Sequence, residues 1–111
     1  LVAILKPSGR QTFDAIHAMG AGFVASAARE RGARMIHVSA IGADADSPSA
    51  YGRTKAAGEA AVLSARPDAV ILRPSILFGP EDDFFNRFAA MAQISPALPL
   101  IGGGHTRFQP V

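Results

Sequence analysis

Three short runs of consecutive apolar residues, separated by stretches with helical spacing, constrain this chain more than any other feature. Leu1-Val2-Ala3-Ile4-Leu5 is the first, closed by Lys6-Pro7-Ser8-Gly9. Met35-Ile36-His37-Val38-Ser39 is the second, and Ala69-Val70-Ile71-Leu72, closed by Arg73-Pro74, is the third. Unbroken apolar runs of this length suit strands covered on both faces. Between the first two runs, from Thr12 to Arg31, Phe13, Ile16, Phe23, Val24 and Ala27 fall on one helical face, and Gly32 sits where a C-terminal cap belongs. Between the second and third, a small polar loop from Gly42 to Pro48 precedes Ser49, a suitable N-cap. The spacing predicts a helix from Ala50 to about Ala65, stopped by Pro67. Strand, helix, strand, helix, strand at these lengths requires parallel strands joined by right-handed crossovers. The expected fold class is α/β, a partial doubly wound parallel sheet with flanking helices.

Beyond the third run, Pro80 and Asp82 introduce a last helix whose buried stripe is expected to be Phe84, Phe88 and Met91. A tail follows, with Leu98 to Ile101, three successive glycines and Phe108. At 111 residues the chain is one domain or less, and its 49% apolar content argues against disorder. The net charge is +2, and the basic residues are scattered from Lys6 to Arg107. Nucleic-acid binding therefore has no electrostatic footprint here. With no cysteine there is no disulfide framework, thiolate nucleophile or Cys-based metal site. No apolar run approaches the ~20 residues of a membrane span, and no signal peptide is visible. The chain opens on Leu1 within an apolar run and stops at Val111 without a closing element, so a piece of a longer protein is expected.

The most informative stretch is Ser49-Ala50-Tyr51-Gly52-Arg53-Thr54-Lys55. Tyr51 and Lys55 are four apart near the start of a helix, so both project from one face. A phenol ionises near pH 10, and an ammonium within about 6 Å favours the phenolate. Such a pair suits proton transfer, and the ammonium can also donate to a ribose hydroxyl. Ser39 ends the preceding strand, and in open α/β sheets ligands bind at the carboxyl ends of strands. A serine there can hold a carbonyl or alcohol oxygen beside the tyrosine. The alternative is a surface Tyr and Lys with no shared task, since this spacing alone arises often by chance. The preceding strand and the small neighbours Ala50, Gly52, Ala56 and Gly58 favour the functional reading.

Ser39, Tyr51-x-x-x-Lys55 and Arg73-Pro74-Ser75-Ile76-Leu77-Phe78-Gly79-Pro80 resemble the second half of an extended or atypical short-chain dehydrogenase/reductase. The runs His37 to Asp44, Tyr51 to Glu59 and Phe78 to Phe88 are similar to the nucleotide-binding accessory subunits of respiratory complex I (alpha subcomplex subunit nine) and their bacterial homologues. The resemblance implies a Rossmann-like fold whose first βαβ half is missing. It places the second half of the nucleotide-binding domain at 1–80 and the start of a smaller substrate region at 81–111. It implies a nicotinamide cofactor, NADP(H) or NAD(H), with Tyr51 as acid/base, Lys55 its partner on the ribose and Ser39 orienting the substrate oxygen. Ala3, Ile4 and Leu5 would end a strand bordering the cofactor, with Ala3 where relatives usually have Gly. Pro74, Ser75 and Ile76 would lie against the nicotinamide. Arg107 aligns with an arginine that contacts the substrate diphosphate in sugar-nucleotide epimerases. Its motif here, Thr106-Arg107-Phe108-Gln109-Pro110-Val111, leaves a salt-bridged surface arginine as the alternative. The implied partners are respiratory complex I subunits, in the cytoplasm or peripheral at the inner membrane.

In such enzymes the glycine-rich phosphate loop lies in the first strand–helix unit, which is expected to be missing from this chain. Gly20-Ala21-Gly22-Phe23-Val24-Ala25 satisfies the G-x-G-x-x-A pattern, but a helical segment precedes it where the pattern requires a strand. Gly20 and Gly22 are expected to be close-packing points on a helix against the sheet. Gly102-Gly103-Gly104 has no helix pattern after it. His17, His37 and His105 show no ligand spacing, and His37 is expected to be a hydrogen-bonded core histidine. Glu81-Asp82-Asp83 sits where a helix begins, so capping explains it more simply than a metal. No metal site is expected. Three functions are consistent with these residues: an NAD(P)-dependent oxidoreductase or epimerase, a structural or assembly subunit stabilised by its cofactor, and an interaction module without cofactor. The set Ser39, Tyr51 and Lys55 counts against the third.

Overall fold

The computed structural model describes residues 2–95, 97, 98, 103, 105, 107 and 109–111. They fall into two compact units, Leu1–Arg73 and Pro74–Val111.

In the first unit a π-helical stretch, Asp14–Met19, runs directly into α1 (Gly20–Glu30). Then come β1 (Ile36–Val38), α2 (Ala50–Ala65) and β2 (Val70–Leu72). The two strands are parallel, with Ile36 opposite Val70 and Val38 opposite Leu72. Bonds from Val70 N–H to the Met35 carbonyl (3.0 Å) and from Ser39 N–H to the Leu72 carbonyl (2.7 Å) extend the ladder at both ends. Ser39 is thereby fixed one residue beyond the carboxyl end of β1. Parallel strands joined through a helix establish the α/β class.

Gly32 ends α1 as its position predicts. It has φ of 63°, its N–H bonds the Arg29 carbonyl, and the Ala33 N–H bonds the Ala28 carbonyl. These two bonds satisfy orphan carbonyls at the helix end, and the left-handed φ favours glycine. α2 spans the predicted residues, with Ser49 at the N-cap. The Ser49 side chain makes no capping bond; its own N–H donates to Ser47 Oγ (3.2 Å).

Three expectations need correction. The run Leu1 to Leu5 does not form a strand among its described residues. Val2 and Leu5 are each 82% exposed, and the Ile4 N–H donates to Nε2 of His17 (3.1 Å). An apolar run becomes a strand only when a neighbour takes its ladder bonds, and here a side chain takes one of them. The expected face of the first helix is rotated as well. Phe23 and Val24 are exposed, whereas His17 and Ala25 are buried. The wider π turn adds a residue, and inward positions follow the four-residue step 13, 17, 21, 25. Finally, Gly22 packs against α2 and not the sheet, while Gly20 lines a cavity with Met35, Ile36, His37 and Val38. A Cβ on Gly22 would lie 3.3 Å from the Ala61 Cβ on α2, and one on Gly20 would lie 3.2 Å from the Ala15 carbonyl oxygen of its own helix. The glycine pattern thus lies on a helix, as expected, with Gly22 serving helix–helix contact.

The second unit carries α3 (Phe85–Ile94). Asp82 Oδ1 accepts the Phe85 N–H (2.5 Å), and Oδ2 accepts the Gly79 N–H (3.3 Å). Burial pushes the Asp82 carboxyl up, but these N–H groups outweigh it and hold it below the usual carboxylate range. Asp82 is thus the cap its position suggested. Phe84, Phe88 and Met91 are half-buried, not buried. The Phe84 ring meets Phe85 and Phe88 edge-on, at 5.2 and 5.3 Å. Ile101, Gly102, Gly104 and Phe108 of the tail lie outside the described residues.

Candidate functional site

The apolar core of the first unit is small among the described residues: Ala25, Ala43 and Val62. Around it lie five buried polar residues, His17, Ser39, Thr54, Lys55 and Glu59. Three of these stand on α2 at positions 54, 55 and 59, beside the buried glycines 52 and 58. Burying polar groups costs free energy unless each finds a partner. A unit whose interior is mostly polar is therefore held by specific bonds.

The small residues place these side chains. Nothing larger than hydrogen fits on Gly52, where a Cβ would lie 2.7 Å from the Gly42 carbonyl oxygen. The loop 42–47 is thus pressed onto the start of α2, and the Asp44 N–H donates to the Gly52 carbonyl (3.3 Å). At Gly58 a Cβ would collide with the carbonyl of His17, so α2 lies backbone-close against the π turn.

Lys55 is 5% exposed, and its Nζ donates to the carbonyl of Val38, the last residue of β1 (3.0 Å). Burial lowers its pKa, and the charge of Glu59 opposes this. An ammonium has three donors, so two remain after the Val38 bond. Lys55 also lines a cavity of about 380 Å³ with His17, His37, Val2, Ile16 and Met35. Glu59 is held by a two-pronged pair with Arg73, which follows β2 directly, at 2.8 and 2.5 Å. That pair holds the Glu59 carboxyl below its ordinary range. The Ser39 hydroxyl adds a weaker pull in the same direction. Even so, its buried Oγ makes no hydrogen bond of good geometry among the described residues.

Tyr51 is half-buried, one turn before Lys55 on α2. Its ring meets His17 edge-on at 5.2 Å and Phe13 edge-on at 6.0 Å. Lys55 thus lies at the end of β1, whose next residue is Ser39, while the ring contacts of Tyr51 are with His17 and Phe13. Ala3 and Leu5 are exposed, and only Ile4 joins the cluster, through His17. Pro74, Ser75 and Ile76 are half-buried in the second unit, where the Ile76 carbonyl accepts the Val111 N–H (3.1 Å). Arg107 is exposed and makes no ion pair among the described residues.

The role expected of His37 falls to His17, for which the sequence offered none. The buried Nε2 of His37 has no hydrogen-bond partner among the described residues, so the expected hydrogen-bonded core histidine is corrected there. The adjacent Lys55 ammonium and burial both disfavour its charged form. His17 is the histidine held by bonds at both ring nitrogens, Nε2 from the Ile4 N–H and Nδ1 with Thr54 Oγ1 (3.2 Å). Sequence spacing missed it because no ligand motif includes it. Its i, i+4 relation to Phe13, whose ring stacks on it at 5.3 Å, was the available signal. Among the described residues no helix is long and apolar enough to cross a membrane.

A family model described as the RmlD substrate binding domain matches residues 8–101. The chain belongs to that family. This RmlD-domain chain is 48% identical over 90 residues to NADH dehydrogenase [ubiquinone] 1 alpha subcomplex subunit 9 of Arabidopsis thaliana, covering 79% of the chain and 22% of that protein. It is 38% identical over 101 residues to the ceramide reductase of Caulobacter vibrioides, covering 91% of the chain and 32% of that protein. Among solved structures, the dTDP-4-dehydrorhamnose reductase of Bacillus anthracis, in complex with NADP, matches with a TM-score of 0.63 and 26% identity, over 72% of the chain and 34% of that protein. The RmlD-domain chain thus spans about a fifth to a third of the length of these relatives. The likeness identifies its α/β architecture as part of a Rossmann-like domain, homologous to complex I subunit nine and to short-chain reductases.

Proposed function

We propose that this RmlD-domain chain supplies the nicotinamide end of a dinucleotide site, NADP(H) or NAD(H), in a protein of the short-chain dehydrogenase/reductase type. One observation carries the reading: the Lys55 ammonium is buried at the carboxyl end of β1, one helical turn from Tyr51 and next to Ser39, whose hydroxyl makes no hydrogen bond of good geometry among the described residues. The residues suit the cofactor. Lys55 has two free donors on the cavity wall for a ribose hydroxyl, and Ser39 Oγ has bonding capacity left for a substrate oxygen. A bound nicotinamide would supply or accept the hydride. Tyr51 gives or takes the proton at its Oη, Ser39 orients the substrate oxygen, and the rings of Phe13 and His17 keep water from one side of the phenol. The roles of Ala3, Ile4, Leu5, Pro74, Ser75, Ile76 and Arg107 rest on the resemblance alone, as does the division at residue 80.

A second reading has its own support. The 48% identity to a complex I subunit exceeds the 38% to a reductase. On that reading the protein binds the cofactor without turnover, as a structural subunit peripheral to the inner membrane, and the cofactor stabilises the fold. The test uses the native-length protein, with NADPH affinity and turnover on a carbonyl panel measured for Tyr51→Phe and Lys55→Ala. Lys55→Ala is expected to weaken NADPH binding about tenfold, or about 1.4 kcal/mol. Tyr51→Phe is expected to keep binding and lose turnover. Tight binding without turnover on any substrate, with co-purification in a membrane complex, selects the structural subunit. Unchanged affinity in Lys55→Ala rejects both readings.

A further inference from the structure

The mechanism proposed above uses the ring of His17 but not its two bonded nitrogens. His17 is 3% exposed and stands on the π-helical stretch. The Ile4 N–H donates into Nε2, which therefore carries a lone pair. In the neutral ring the proton then sits on Nδ1, which donates to Thr54 Oγ1. Thr54 passes its own hydroxyl proton to the Ala50 carbonyl (2.8 Å), with the Tyr51 carbonyl also in reach (3.1 Å). Each donor in this chain meets one acceptor, from the N-terminal segment through the imidazole to the turn of α2 that carries Tyr51. The His17 ring also meets the Tyr51 ring edge-on, and the pair is closed by Phe13, stacked on His17 with an interplanar angle of 23°.

The backbone repeats this arrangement. The Gly20 N–H reaches back five residues to the Ala15 carbonyl, which widens the helix at His17. Gly58 lets α2 approach the His17 carbonyl to a distance that no side chain would allow. Two contacts between the same pair of elements, one through a ring and one through a missing Cβ, fix the rotation of α2 about its axis. That rotation sets where the Tyr51 phenol and the Lys55 ammonium face.

We infer that His17 is a positioning residue for Tyr51, clamping the first turns of α2 so that the phenol is held beside Lys55 at the end of β1. This rests on the proposed task of Tyr51 and Lys55. His17 shares a cavity wall with Lys55, and in this account it acts on Tyr51 through Thr54 and the two aromatic contacts. The groups facing it that carry charge are Lys55 on α2 and Asp14 on its own helix. Burial and the Lys55 ammonium both favour the neutral ring that the clamp needs.

The test uses the native-length protein with His17→Phe, which keeps the ring and removes both nitrogens, and His17→Gln, which keeps an acceptor and a donor. Thr54→Val cuts the same chain from the other side. NADPH affinity, helix content by circular dichroism and the ring resonances of ¹³C-labelled Tyr51, assigned with Tyr51→Phe, are measured for each. We expect His17→Phe to fold, to bind NADPH about tenfold more weakly, and to show Tyr51 resonances displaced from their parental position. His17→Gln is expected to restore most of the affinity and the resonance position. A folded His17→Phe with parental affinity and parental Tyr51 resonances overturns the inference. If His17→Phe does not fold, Thr54→Val decides by the same two readouts; if both unfold, the clamp is structural only and the inference fails. Failure of the underlying reading looks different: Lys55→Ala then leaves NADPH binding unchanged while the Tyr51 resonances still respond to His17→Phe.

Discussion

Lys55 and Glu59 are both buried and both charged in character, one turn apart on α2, yet their environments act on them in opposite ways. Glu59 has the Arg73 guanidinium and is held charged. Lys55 has one backbone carbonyl, and burial lowers its pKa. A lysine whose folded pKa lies below its unfolded value binds fewer protons when folded, between those two values, than when unfolded. Stability therefore rises with pH across that window, because the penalty of burying the charge is removed first in the folded state. The cofactor-free protein should gain stability on titration from neutral pH toward the ordinary lysine range, and Lys55→Met should flatten that rise. Urea unfolding at a series of pH values measures it; an equal rise in both proteins would show that Lys55 is not the source. That Tyr51 and Lys55 stand one turn apart on α2 was legible in the sequence, because a four-residue interval along one helix survives folding intact. The bonding state of each histidine was not legible. It depends on which backbone N–H or hydroxyl arrives from thirteen or thirty-seven residues away, as at Ile4 and Thr54 for His17.

At the scale of elements, the crossing of α1 and α2 rests on absent side chains. Gly58 meets the His17 carbonyl and Gly22 meets Ala61, so the helices approach more closely than Leu- or Ile-bearing faces permit. Alanine is the better helix former, and an exposed Gly→Ala change inside a helix gains up to about 1 kcal/mol. At Gly58 the added methyl must displace backbone, and overpacking of this kind costs about 1–3 kcal/mol, occasionally more. The collision outweighs the propensity. Gly58→Ala is expected to destabilise the protein by about 2 kcal/mol and to weaken NADPH binding, since the same contact sets the rotation of α2. Gly42→Ala, where a Cβ meets nothing within 4 Å, should leave stability nearly unchanged. Denaturant midpoints compare the two, and a neutral Gly58→Ala would show that the crossing can relax. The bounds of α2 could be read because Ser49 and Pro67 punctuate them, whereas the π turn could not. Six residues are too few for a periodicity count to separate a wide turn from an ordinary one, and the rotation of the apolar face toward Ala21 and Ala25 follows only from that turn.

For the whole molecule, the decisive contrast lies between the half of a dinucleotide site these residues can furnish and the half they do not contain. Affinity for such a cofactor comes largely from its pyrophosphate, which a glycine-rich turn binds at a helix N-terminus between a strand and the helix that follows. The G-x-G-x-x-A pattern at Gly20 cannot do this, because its glycines lie within continuous helix and its backbone N–H groups serve helical bonds. The apolar segment near the start of the sequence takes no place in the sheet: Val2, Leu5 and, on β1, Ile36 (66% exposed) present apolar surface. Residues 1–111 expressed alone should therefore bind NADPH weakly or not at all by calorimetry and should bind a hydrophobic dye. In the native-length protein, NADPH at a hundred times its Kd should add about 2.7 kcal/mol of stability by linkage, seen as a higher thermal midpoint. Lys55→Ala should lose about half of that gain, since about 1.4 kcal/mol accompanies each tenfold loss of affinity. Nanomolar binding by residues 1–111 alone would mean that Lys55, Tyr51 and Ser39 hold the cofactor without a phosphate anchor, and the division of labour argued from the glycine pattern would be wrong.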